Sequence, residues 1–204
     1  MSPAIQIRYV ALGDSTGVGV GAREGGGYVE RLFQRLRRER PGVGLLNLCV
    51  SGATSATVLS GQLERAVRAR PQLVTLGIGV NDLWRGVSAT EYERNLERIV
   101  SALSGTGTAG VMVNLPDLAL APVAGMAPAG LLEGRFEPYN AAVSRVAARY
   151  HFTYVDLFEF SRRDIPKNPN FFSADGFHPS EHGYAHWADL MWPSVLASAR
   201  FIAP

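Results

Sequence analysis

Short apolar runs, each followed by a segment of helical period, constrain this chain more than any other feature. The runs are Ile5 to Leu12, Val43 to Val50, Leu73 to Gly77, Gly110 to Asn114 and Thr153 to Leu157. Continuous apolar runs of this length read as strands buried on both faces. Between them, Tyr28 to Glu39 places Val29, Leu32, Phe33 and Leu36 at i, i+3, i+4 and i+7, one face of a helix. Thr57 to Arg70 predicts a second helix on Leu59, Leu63, Ala66 and Val67, ended by Pro71. Ala89 to Ser104 repeats the pattern on Tyr92, Leu96, Ile99, Val100 and Leu103, and Pro138 to Tyr150 on Tyr139, Ala142, Val143 and Val146. Ser180 to Ser198 closes the series on Tyr184, Trp187, Ala188 and Met191. Strict alternation of strand and helix predicts an α/β fold, a three-layer α/β/α sandwich around a five-stranded parallel sheet with right-handed crossovers. Ligands of such sheets bind outside the carboxyl ends of the strands.

The 204 residues show no composition break, so one domain over 1–204 is expected, large enough for a sizeable core. With 47% apolar and 19% charged residues the chain belongs with ordinary globular proteins rather than disordered ones. A net charge of +2 gives no strong pull toward nucleic acid. The densest basic cluster, Arg35, Arg37, Arg38 and Arg40, reads as a solvated helix face. Cys49 is the only cysteine, so no intrachain disulfide can form, and it is expected as a small buried hydrophobe. Met1 to Tyr9 lacks a charged region followed by a signal-type apolar core, and no run is long enough to span a bilayer. The expectation is a cytoplasmic protein without stable membrane insertion, and a monomer, since no exposed apolar seam stands out.

Several residues able to do chemistry follow strand ends. Ser15 sits in Gly13-Asp14-Ser15-Thr16-Gly17, a strand that stops at a glycine and presents a hydroxyl. A serine is a weak nucleophile on its own and needs a base, an orienting group and an oxyanion site. His178, just before Pro179, is the best base candidate, and Asp175 three residues earlier can hold its imidazole. Alone, that pair equally suits a helix start with a local turn carboxylate. Asn81, in Gly79-Val80-Asn81-Asp82, can donate a side-chain amide to an oxyanion, and Gly52 a backbone N–H. Taken singly, both are ordinary turn residues.

Together these blocks resemble the SGNH hydrolases, also called the GDSL esterase/lipase family. The matching segments are Gly13-Asp14-Ser15, Gly52 in Ser51-Gly52-Ala53-Thr54, Asn81 in Gly79-Val80-Asn81-Asp82, and Asp175-Gly176-Phe177-His178-Pro179, with Asn114-Leu115-Pro116-Asp117 as a further family-like segment. Thr16 stands where the family's first block names leucine. The resemblance implies the flavodoxin-like SGNH hydrolase fold and cleavage of small-molecule acyl esters through an acyl-enzyme. It implies Ser15 as nucleophile, His178 as base and Asp175 as its orienting acid. The Ser15 and Gly52 N–H groups with the Asn81 amide would form the oxyanion hole, and no metal or organic cofactor is implied. Within the family, thioesterases, lysophospholipases and carbohydrate acetylesterases are the alternatives.

Rival readings are weaker. Gly-x-Ser-x-Gly at 13–17 also fits the α/β-hydrolase elbow, but the upstream oxyanion loop of that fold has no room before Gly13. Gly17-Val18-Gly19-Val20-Gly21-Ala22 fits a dinucleotide fingerprint, yet Gly25-Gly26-Gly27 prevents an immediate helix and no acidic residue ends the second strand. His178-Pro179-Ser180-Glu181-His182 matches the His-x-x-Glu-His string of inverted zinc proteases, which needs both histidines on one helical face, and Pro179 starts the helix after His178. A metal-dependent hydrolase through His178, Glu181 and His182, with His186 continuing the i+4 series, stays as the alternative of another class, beside an inactive binding module. For substrate contact, Trp84 is a candidate wall beside Asn81, Leu118 lies in the apolar loop Leu115 to Gly130, and Phe172 with Phe171 precedes the Asp175 block.

Overall fold

The computed structural model describes residues 6–126, 132 and 134–201, and the side chains of 9–126, 132 and 134–200. Its strands are β1 (Gln6–Gly13), β2 (Val43–Asn47), β3 (Leu73–Gly77), β4 (Ala109–Val113) and β5 (Thr153–Val155). They form one sheet in the order β2-β1-β3-β4-β5, and every pairing is parallel. The helices are α1 (Ser15–Val18), α2 (Tyr28–Glu39), α3 (Ser55–Gly61), α4 (Leu63–Arg68), α5 (Val80–Trp84), α6 (Ala89–Ser104), α7 (Phe136–Arg149), α8 (Leu157–Asp164) and α9 (Glu181–Ser198). The five-stranded three-layer α/β architecture anticipated from the alternation is the one observed, and its strand order is that of flavodoxin-like sheets.

Period-two alternation along β1 divides the core. Val10 and Leu12 point into one apolar layer with Val74, Leu76 and Met112, covered by α3, α4, α6 and α7 residues such as Val58, Ala66, Leu96 and Val143. Tyr9 and Ala11 point into the other with Val111, Val113 and Val155, covered by Leu32 and Leu36 of α2, Phe160 of α8 and Tyr184 and Trp187 of α9. Both layers are buried throughout, which is why the strands carry no polar face. Cys49 lies half-buried against the second layer, its thiol pushed upward in pKa by burial.

Departures from the sequence expectations cluster near strand ends. The helix expected over 57–70 begins at Ser55, because Thr54 and Thr57 form a reciprocal capping box, and it breaks at Gln62, with φ −113° and ψ −40°. β2 ends at Asn47, whose side chain bonds Gly17 O and the Cys49 N–H, although Leu48 N and Val50 N beyond it still donate to Ala11 O and Gly13 O of β1. β5 ends before Asp156, which caps the unanticipated helix α8 by accepting the Glu159 N–H. Two further short helices, α1 and α5, occupy stretches read as loops. The loop after β4 holds 3₁₀ turns at Leu118–Leu120 and Pro122–Met126, and its expected remainder at 127–130 lies outside the described residues.

Candidate active site

β1 ends at Gly13 in register with Gly77 of β3. The two backbones approach so closely that a Cβ on Gly13 would lie 2.3 Å from Gly77 O, so only glycine fits. Asp14 then caps α1: its Oδ1 accepts both the Thr16 N–H and the Thr16 hydroxyl, each at 2.9 Å. Burial raises the Asp14 pKa, against the Thr16 bonds that lower it. Asp14 therefore braces the turn, and Ser15 opens α1, where the first N–H groups of a helix lack partners inside it.

Ser15 Oγ lies 2.9 Å from His178 Nε2, and His178 Nδ1 lies 2.6 Å from Asp175 Oδ2. Partial burial works to raise the Asp175 pKa. The bonds from the His178 ring, the Phe177 and His178 N–H groups and the Ser173 hydroxyl outweigh it and hold the carboxyl well below the usual range. An ionised carboxylate only accepts, so Nδ1 carries the proton and donates. In the neutral ring Nε2 then accepts from the Ser15 hydroxyl, the orientation a general base requires. The Asp175–His178 turn is self-contained: Asp175 Oδ1 also accepts from Ser173 Oγ, Phe177 N and His178 N.

Asn81 stands in the first turn of α5, and its Nδ2 donates to Ala53 O at 2.8 Å. Gly52 adopts φ +77°, with open space around its Cβ position out to Arg85 Nη2 at 3.7 Å, so the backbone angle rather than crowding calls for glycine. The loop carrying Gly52 is tied to β1 by Val50 N donating to Gly13 O and by Ala53 N donating to Val50 O.

A cleft runs from Ser15 between strand ends and α9. Asn81, His178, Leu118 and Phe172 line it, with Pro116, Ile165, Phe171 and Phe177 completing the apolar wall. Trp84 does not line this cleft; it lies on the outer side of α5 and is 41% exposed. It thus stands outside the wall expected of it, although it lies one helical turn from Asn81 on α5.

The zinc-type string does not assemble. Both ring nitrogens of His178 are engaged, Glu181 pairs with Arg31, and His182 Nε2 faces His186 and Asn168. Among the described residues no three His, Cys, Asp or Glu side chains gather as a metal centre.

Sequence reading missed the buried supports. Asp82 is fully buried, and its carboxylate accepts the Ser55 N–H and hydroxyl, while Asn95 Nδ2 donates to the same hydroxyl. Desolvation raises the Asp82 pKa against those bonds. Asn114, at the end of β4, donates to Tyr154 Oη and Asp156 Oδ1 and accepts from Leu157 N and Phe158 N. Gln62 bonds both backbone groups of Gly13. Polar residues inside otherwise apolar helical stripes were the available signal.

The family model described as "GDSL-like Lipase/Acylhydrolase family" matches residues 11–186. "Esterase TesA" of Pseudomonas aeruginosa (strain PAO1) is 25% identical over 186 residues, covering 91% of this chain and 86% of that protein. A crystal structure of TesA superposes with a TM-score of 0.78 at 23% identity, covering 94% of this chain and 99% of the other. A crystal structure of the acetyl xylan esterase AlAXEase gives 0.76 at 20% identity, covering 93% and 100%. Both structures share the fold.

Proposed function

The chain belongs to the GDSL-like lipase/acylhydrolase family, a family of ester-hydrolysing enzymes, and we propose that it is a serine esterase acting on small-molecule carboxylic esters with an apolar acyl group. The observation that carries this reading is the relay Ser15 Oγ to His178 Nε2 at 2.9 Å and His178 Nδ1 to Asp175 Oδ2 at 2.6 Å, at the mouth of the apolar cleft.

In the proposed reaction Ser15 Oγ bonds to the ester carbonyl carbon as its proton passes to His178 Nε2. The carbonyl π pair moves onto oxygen, and the Ser15 and Gly52 N–H groups and the Asn81 amide donate to that charge. Asn81 Nδ2 keeps one of its two N–H bonds on Ala53 O, which aims the other. The Asp175 carboxylate stabilises the imidazolium without taking its proton. The tetrahedral species then collapses, the bond to the alcohol oxygen breaks, and His178 Nε2 returns the proton to that oxygen. Water, deprotonated by His178, hydrolyses the acyl-Ser15 ester by the same steps.

The wall of Leu118, Ile165, Phe171, Phe172 and Phe177 supports a hydrocarbon acyl group over the acetyl group of a sugar ester. Each buried methylene is worth about 0.8 kcal/mol, roughly fourfold in kcat/KM. A panel of aryl esters of rising acyl length, with an acetylated sugar and an acyl thioester, should show kcat/KM climbing by such steps to a plateau. Maximal activity on the acetylated sugar would reverse the substrate reading. A fluorophosphonate probe should label Ser15 and leave Ser15→Ala unlabelled. Full ester turnover by Ser15→Ala would overturn the mechanism itself. No helix among the described residues is long and apolar enough to cross a membrane.

A further inference from the structure

Gln62 interrupts what would otherwise be one amphipathic helix. It lies on the buried stripe Val58, Gln62, Ala66, is 2% exposed, and sits at the junction of α3 and α4. An apolar residue would continue both the stripe and the packing. A buried amide costs free energy unless its hydrogen bonds are made. Here Gly13 N–H donates to Gln62 Oε1 at 3.0 Å, and Gln62 Nε2 donates to Gly13 O at 2.8 Å. The side-chain amide thus serves the peptide groups on both sides of Gly13.

The location gives this clamp its meaning. Gly13 is the last residue of β1, bonded to β3 on one side. On the other side the regular β2 pairing stops at Ala11 with Asn47, and although Leu48 N and Val50 N still donate to Ala11 O and Gly13 O, the Gly13 N–H finds its acceptor in Gln62. Two residues later comes Ser15. Gly13 O also accepts from Val50 N, which leads into the loop bearing Gly52. One carbonyl therefore joins the chain entering the Ser15 turn, the loop that carries Gly52 and the α3–α4 junction.

We propose that Gln62 is a positioning residue for the oxyanion hole: by accepting the Gly13 N–H and donating beside Val50 N to Gly13 O, it fixes the Ser15 and Gly52 backbone N–H groups relative to each other. The proposal rests on the serine-esterase reading above. Donors misplaced by about 1 Å can cost a hundredfold in rate, whereas the affinity for the ground-state ester is set mainly by the acyl wall. Loosening the clamp should therefore lower kcat and leave KM alone.

The test compares Gln62→Met, close in shape but unable to make both bonds, with Leu103→Ala, a core deletion outside the cleft. Both should lower the melting temperature. Only Gln62→Met should lower kcat, at least tenfold with KM within twofold, and slow fluorophosphonate labelling of Ser15 by the same factor. Should Gln62→Met fail to fold, Gln62→Asn carries the test. It keeps an amide but is one methylene too short to serve both Gly13 groups, and a fivefold or greater fall in kcat at constant KM is expected. A folded Gln62 variant with kcat within twofold of the parent, or a matching kcat loss in Leu103→Ala, overturns the proposal. If the parent itself is not labelled at Ser15, the esterase reading fails rather than this one.

Discussion

The two halves of the candidate site are built differently. Gly13 to Ser15, Gly52 and Asn81 stand on a buried frame whose bonds join residues far apart in sequence: Gln62 to Gly13, Asp82 to Ser55, Asn81 to Ala53. The Asp175–His178 half is a partly exposed turn whose own bonds span two or three residues, and it reaches the other half through His178 Nε2 and Ser15 Oγ. In the proposed mechanism the groups that must stay still while charge develops are fixed by the fold, and the group that hands a proton back and forth is held by its own turn, with Val123 N donating to Gly176 O as a tie to the loop after β4. Stability and activity should therefore respond separately to changes in the two halves.

The largest expected effect ignores the division. Ser15→Ala and His178→Ala should each lower aryl-ester kcat by roughly a thousandfold or more while leaving the thermal midpoint nearly unchanged. An unaltered rate in either would remove both halves from the chemistry. Next, Asn81→Ala should lower kcat by about a hundred- to a thousandfold with little change in KM. Sharper still is the pair Asp82→Ala and Asp175→Ala. Asp82→Ala strands buried donors on Ser55 and should cost about 3 kcal/mol, or roughly 6–12 °C in melting temperature. Asp175→Ala should cost activity and shift the midpoint little. Equal destabilisation by both would erase the contrast.

The smallest effect is on pH. The native pKa of Asp175 is depressed, so its contribution to stability is fully present above the unfolded carboxyl value of about 4 and is lost as pH falls below it. Its side chain is 44% exposed, so solvent screens the effect. In acid titrations followed by circular dichroism, Asp175→Asn should flatten the lower limb of the stability curve slightly.

The fold was largely legible because burial on both faces writes each strand as an apolar run. Ser15, Gly52 and Asn81 were legible as candidates because each follows a strand end within a short local pattern, and Asp175 and His178, though they stand beyond α8, because their own block is a short local pattern as well. Gln62 and Asp82 were not, since each acts on a residue at least 27 positions away and nothing in its own neighbourhood names the partner. The helix α8 escaped because eight residues offer barely two turns of periodicity, with Ser161 buried among its apolar contacts. Trp84 lies one helical turn from Asn81 yet does not line the cleft, because nearness in sequence does not say which exposed side chains reach the substrate side.

The bond between His178 and Ser15 spans 163 positions of the chain. During synthesis Ser15 is made 163 residues before the imidazole proposed as its base. A chain released anywhere before residue 178 would carry the proposed nucleophile without its proposed base. Contacts between residues so distant in sequence also form late in folding, after the loop-closure entropy has been overcome. The proposed activity should therefore appear only once residue 178 has been made and brought to Ser15 by folding, making esterase turnover a direct clock for that long-range closure in a translation reaction.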